Sequence, residues 1–107
     1  MSNQRQHAGI APPPGFYGTR SRAFEFRDQI ERLLDDGNER VAISFSGVSA
    51  TQSFIDELLG VLIIERGAEV AGRLAFRDCS DETKSIIRFV LNDRLDQLDE
   101  MAERHLA

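Results

Sequence analysis

The chain has 107 residues, 41% of them apolar and 29% charged, which suits one soluble domain with a single core and excludes a disordered chain. Its net charge of −5, with 13 basic residues scattered along the sequence, excludes nucleic-acid phosphate as the main partner. One cysteine, Cys79, allows neither an internal disulfide nor a cysteine-based metal site, and the longest apolar run, residues 58–64, is far shorter than the roughly 20 residues that span a bilayer.

Residues 1–15 contain no apolar stretch of signal-peptide length, so a cytoplasmic location with no membrane partner is expected. Pro12 to Pro14 and Gly15 forbid a helix there and favour an extended linker. Residues 1–18 therefore read as a flexible, loosely docked tail, part of which has the option of adding an edge strand, and residues 19–107 read as the domain. The first helix is placed at 19–39, with Ala23, Phe26, Ile30, Leu33 and Leu34 on one apolar face and Gly37 as its stop. A strand follows at 40–48, where Val41, Ile43 and Phe45 alternate with Ala42, Ser44 and Ser46. The second set is small rather than charged, which suits cover on both faces.

Gly47 marks a turn into a second helix at 49–67. Phe54, Ile55, Leu58, Leu59, Leu62 and Ile63 form a stripe broad enough to be buried on more than one side. A second strand is placed at 73–78, and a third helix at 80–105 with Ser80 as its N-cap. Asn92-Asp93 is a candidate break that would leave a final amphipathic helix carrying Leu95, Leu98 and Met101. The order helix, strand, helix, strand, helix predicts an α/β sandwich with a small sheet and helices packed against it.

No catalytic residue or metal ligand set stands out. The only histidines, His7 and His105, lie in the two ends, and no G-x-S-x-G, P-loop or dinucleotide-binding glycine pattern is present. No cofactor is implied, and an enzyme is not expected. Cys79, at a strand end before a helix, has the position of a lowered thiol pKa, but a packed small residue is the better reading. Asp56 and Glu57 are adjacent, so they point about 100° apart and do not form a catalytic pair. Charge near a helix N-terminus accounts for them.

The segment from Ser46 to Ser53 is different, because Ser46, Ser49, Thr51 and Ser53 place four hydroxyls before an apolar helix. Ser49 or Thr51 serves as the N-cap, and Ser49 with Gln52 fits the capping-box spacing. A cap uses one hydroxyl. Ser53 falls in the first turn, where a phosphoryl group would gain from free backbone N–H groups and the helix dipole.

The stretch "VAISFSGVSATQSFIDELLGVL" resembles the central strand-loop-helix of STAS domains, the fold of bacterial anti-sigma factor antagonists. It is closest to a STAS-like family whose motif runs hydrophobic-D-F-S-G-V and then S-F-x-D-E-L. Phe45, Ser46, Gly47 and Val48 match the first part, and Ser53, Phe54, Asp56, Glu57 and Leu58 the second. Ser44 stands where that family often has an aspartate. The resemblance covers residues 19–95. It implies a protein-interaction module whose partner is an anti-sigma factor or another histidine-kinase-like ATPase that phosphorylates a loop serine. The antagonists' Asp-Ser-Ser-Gly loop falls on Gln52, Ser53, Phe54 and Ile55, which makes Ser53 the phosphorylation candidate ahead of Thr51, Ser49 and Ser46. The implied partner surface is Ser46, Gly47, Ser49, Thr51, Gln52, Ser53, Asp56 and Glu57, where a phosphate next to the two carboxylates would repel an acidic partner. Alternatives are a constitutive adaptor or structural homodimer, and a STAS domain that binds a nucleotide or lipid.

Overall fold

Three short segments, none longer than four residues, assemble the main sheet. In the computed structural model, which describes residues 8–106, β1 (Ala8–Ile10), β3 (Val41–Ser44) and β5 (Leu74–Arg77) form a parallel sheet in the order β1-β3-β5. Ala8, Val41 and Leu74 share one row across the strands, and Ile10, Ile43 and Phe76 another. Side chains on one row point to the same face, and on this face Val41, Ile43 and Leu74 are buried. The opposite face carries Gly9, Ala42 and Ala75. Expected to be covered, it is only partly so: Ala42, Ser44 and Ala75 are half-buried and Gly9 is exposed. A side chain at Gly9 would meet the Ala42 carbonyl oxygen at 2.7 Å.

A second, two-stranded parallel sheet pairs β2 (Gly15–Tyr17) with β4 (Val48–Ala50). Residues 8–17, read from the sequence as part of a flexible tail, thus supply one strand to each sheet. Pro12 to Pro14 fall between β1 and β2, where their missing N–H groups cost no ladder bond. Tyr17 then secures the segment, 2% exposed, with its ring 5.0 Å from that of Phe54 and 5.8 Å from that of Phe26. The part of the predicted tail that holds His7 lies outside the described residues.

Helices follow the apolar patterning. A 3₁₀ turn at Ser21–Ala23 leads into α1 (Phe24–Asp35), which buries Phe26, Ile30 and Leu34. It stops at Gly37, whose φ of 92° is costly for any side chain. The strand predicted at 40–48 is two strands, β3 and β4, parted by a turn in which Gly47 has φ 70°. Next comes α2, in three consecutive segments: Gln52–Ile55, a π-helical stretch at Asp56–Gly60, and Val61–Arg66. Its Phe54, Ile55, Leu58, Leu59, Leu62 and Ile63 are fully buried and form the centre of the core.

After a 3₁₀ stretch at Ala68–Arg73 and β5, α3 runs unbroken from Asp81 to Leu106. The candidate break at Asn92-Asp93 does not occur. Asn and Asp each cost only a few tenths of a kcal/mol in a helix interior, and tertiary contacts outweigh that. Gln97 donates to the Asp93 carboxylate one turn back, and Arg94 is bonded to α2. The architecture is mixed α/β, with the helix α2 at its centre.

Candidate functional site

The loop from β3 to α2 is held from the N-terminal side by backbone bonds. Gly15 N–H donates to the Gly47 carbonyl at 3.0 Å, and Thr51 N–H donates to the Tyr17 carbonyl at 3.1 Å. Thr51 is the N-cap of α2: its hydroxyl accepts from the Phe54 N–H at 3.2 Å and donates to the Gly18 carbonyl at 3.1 Å. That settles the choice between Ser49 and Thr51, and the Ser49–Gln52 capping box is not formed. Ser49 is exposed in β4, opposite Phe16 of β2. Ser46 is exposed in the turn, and its N–H donates to the Ser44 hydroxyl at 3.4 Å. Pro14 packs against Gly47, 2.9 Å from where a β-carbon would sit. Gln52 and Ser53 are both exposed on the first helical turn.

Asp56 and Glu57 face arginines of the fold. Asp56, only 9% exposed, is gripped by Arg94 of α3 through two bonds, Nε to Oδ1 at 2.8 Å and Nη2 to Oδ2 at 2.6 Å. Arg20 adds a third bond to Oδ2 at 2.8 Å. The Arg94 guanidinium holds the Asp56 carboxyl below the usual carboxylate range, against the opposing effect of burial, with Arg20 adding to the depression. Glu57 is bonded by Arg27 of α1, whose Nη1 donates to Oε2 at 2.5 Å and to the Glu57 backbone carbonyl at 2.9 Å. The two carboxylates, expected as helix-end charges and part of a partner surface, instead fasten α2 to α1, α3 and the segment after β2. The adjacent placement that separates them by about 100° lets each reach a different neighbour.

Gly60 completes this clamp. It lies one turn after Asp56 in the π-helical stretch, and a β-carbon there would overlap Asp56 Oδ1 and stand 3.0 Å from Arg94 Nε. Alanine normally favours a helix by about 1 kcal/mol over glycine. Here Gly60→Ala is expected to destabilise by about 2 kcal/mol, because the carboxylate or the guanidinium must move. Urea unfolding of the variant checks the sign: a gain in stability would contradict the packing.

A family model described as the STAS-like domain of unknown function (DUF4325) matches residues 23–84, more than half of the chain. The chain belongs to this STAS-like family. No curated protein and no solved structure matches it. The STAS-like span takes in α1, β3, the loop, β4, α2 and β5, so Ser46 to Glu57 all lie within it. It leaves out β1, β2, Arg20 and Arg94, which cover one side of the loop and grip Asp56.

Arg27, read from the sequence as part of the solvated side of the first helix, is half-buried against Glu57, and Arg20, Arg94 and Gly60 escaped the sequence reading. Only Gly60 left a signal there, as a glycine inside a strongly apolar helix, which implies a close approach. Elsewhere on the STAS-like domain, Cys79 is half-buried beside a cavity of about 130 Å³ with Phe76, Lys84, Ile87 and Arg88. Burial pushes its thiol up, away from the lowered value that its place before a helix suggested. Among the described residues no group of three or more His, Cys, Asp or Glu is placed to hold a metal ion. No helix among them is long and apolar enough to cross a membrane.

Proposed function

We propose that this STAS-like domain is a cytoplasmic protein-interaction module, switched by phosphate on Ser53. Its partner is a histidine-kinase-like ATPase of the kind that anti-sigma factors represent, and the reading assigns the domain no catalytic step. One observation supports the switch above the others. Thr51 is committed to capping, and of the exposed Ser46, Ser49 and Ser53, none with a hydrogen bond from its side chain among the described residues, Ser53 alone lies on the first helical turn. A phosphate there would sit near the positive end of the helix.

The geometry also changes how such a switch would work. Because Asp56 and Glu57 are paired with Arg94, Arg20 and Arg27, they contribute little free negative charge beside Ser53. The phosphate itself, about −1.5 to −2 at neutral pH, would be the dominant new charge. Docking would strip water from it, and that cost opposes binding. Partner release would then follow from desolvation, with repulsion from neighbouring carboxylates secondary.

Mass spectrometry of the chain isolated from its source cells tests the proposal. Trypsin cleaves after Arg40 and Arg66 and leaves residues 41–66 as one peptide. Phosphate on that peptide at Ser53 is the expected result. Its absence under every growth condition, together with equal partner affinity of Ser53→Ala and Ser53→Asp, would replace the switch with a constitutive adaptor.

A further inference from the structure

We infer that the partner contact extends from the loop onto β2, with Phe16 as its aromatic anchor, and that its occupant is an uncharged protein surface offering an apolar pocket. The inference rests on the interaction-module reading above. Phe16 is 71% exposed, the most exposed large apolar side chain among the described residues. Its register partner is Ser49, which puts the ring on the same side of the β2–β4 pair as an exposed residue of the loop. Its edge lies 2.7 Å from where a β-carbon of Gly18 would sit, so glycine there leaves room for the ring beside the chain. Tyr17 beside it is buried, with its hydroxyl donating to the Pro13 carbonyl. The backbone that carries Phe16 is thus anchored on both sides of the ring, by the β2–β4 pairing and by the buried Tyr17.

The charge pattern points to the same surface. None of residues 8–19 or 41–55 is charged, although 29% of the chain is. Phe16, Ser46, Gly47, Ser49, Gln52 and Ser53 are exposed, and β2 is joined to the loop by the Gly15–Gly47 and Tyr17–Thr51 backbone bonds and by the pairing of Phe16 with Ser49. Interface cores are depleted in charge and enriched in aromatic anchors, while nucleic-acid or anionic-lipid surfaces require cations. Exposed Phe24, by contrast, lines a concavity among Glu25, Arg27, Asp28 and Glu31. Phe16 has no such charged surroundings in its own segment. A dianion on Ser53 would bring charge into a loop that carries none from residue 41 to 55, which makes it an effective way to break the contact.

The test places the photo-crosslinker benzoylphenylalanine at position 16 of the full chain, and at position 89 as a control, in the source cells. Position 16 is expected to capture one protein distinct from the chain itself. That protein, purified, is expected to bind about tenfold or more weakly to Phe16→Ser and unchanged to Phe89→Ser, with little dependence on salt. Capture of a second copy of the chain, capture no greater than at position 89, or binding indifferent to Phe16→Ser would each overturn the inference. A captured protein that depends on Phe16 but is no histidine-kinase-like ATPase would overturn the partner class proposed above and leave this surface standing. An unphosphorylated Ser53 would overturn the switch alone.

Discussion

Replacing Arg94 with alanine is expected to lower the free energy of unfolding by about 3 kcal/mol, the lower end of what breaking a buried ion pair costs. Arg94 supplies two of the three bonds to the Asp56 carboxylate, and the third, from the half-exposed Arg20, remains in the variant. The loss falls on Asp56, which stays inside with one oxygen unpaired. Urea unfolding measures it. The pH dependence has a definite sign. The folded-state pKa of Asp56 is depressed, so its contribution is complete above the unfolded value of about 3.9 and is lost as pH falls through the folded value. Arg94→Ala removes the main cause of that depression, and burial alone raises a carboxyl. The gap between wild type and variant should therefore narrow as the pH drops below about 4. A gap that stays constant to low pH would mean that Asp56 does not carry the effect.

Phe54→Ala is expected to cost more, about 3–5 kcal/mol, as the truncation of a fully buried aromatic. Phe54 has no exposed surface, and its ring centroid lies 5.0 Å from that of Tyr17 and 6.4 Å from that of Phe26. These three rings join β2 to α1 and α2, so the damage should concentrate where β2 holds the loop. Amide exchange separates this from a general loss. The Thr51 N–H, bonded to the Tyr17 carbonyl, should lose more protection than the Leu62 N–H in the centre of α2. Leu62→Ala, of similar expected cost, should lower both alike. Equal loss at the two amides in Phe54→Ala would contradict the role given to the aromatic cluster.

What the sequence made legible was what short-range patterning carries. The apolar stripe from Phe54 to Ile63 marked α2, the alternation of Val41 and Ile43 marked β3, and Gly37 marked the end of α1. The match of "FSGV" and "SFIDEL" pointed to the STAS-like family. What stayed hidden depended on distant partners. β1 and β2 are three residues each, too short to alternate, and they acquire strand geometry only by pairing with β3 and β4. Arg20 and Arg94 lie 36 and 38 residues from Asp56, and no spacing rule within a helix links them. The N-cap was undecided between Ser49 and Thr51 because the deciding bond, from Thr51 to the Gly18 carbonyl, crosses between segments. Asn92-Asp93 looked like a break because local propensity says nothing of Arg94's grip on α2. The hydroxyl-rich loop was legible as a feature of the sequence, while the inward pairing of Asp56 and Glu57 was not.

The direct measurement is the affinity of the proposed partner ATPase for two forms of the full chain, one with serine at position 53 and one with phosphoserine installed there during synthesis. Binding is expected to be at least about tenfold weaker for the phosphorylated form, roughly 1.4 kcal/mol or more, with the fold unchanged and the unfolding midpoint not lowered. Equal affinity for the two forms would contradict the proposed switch.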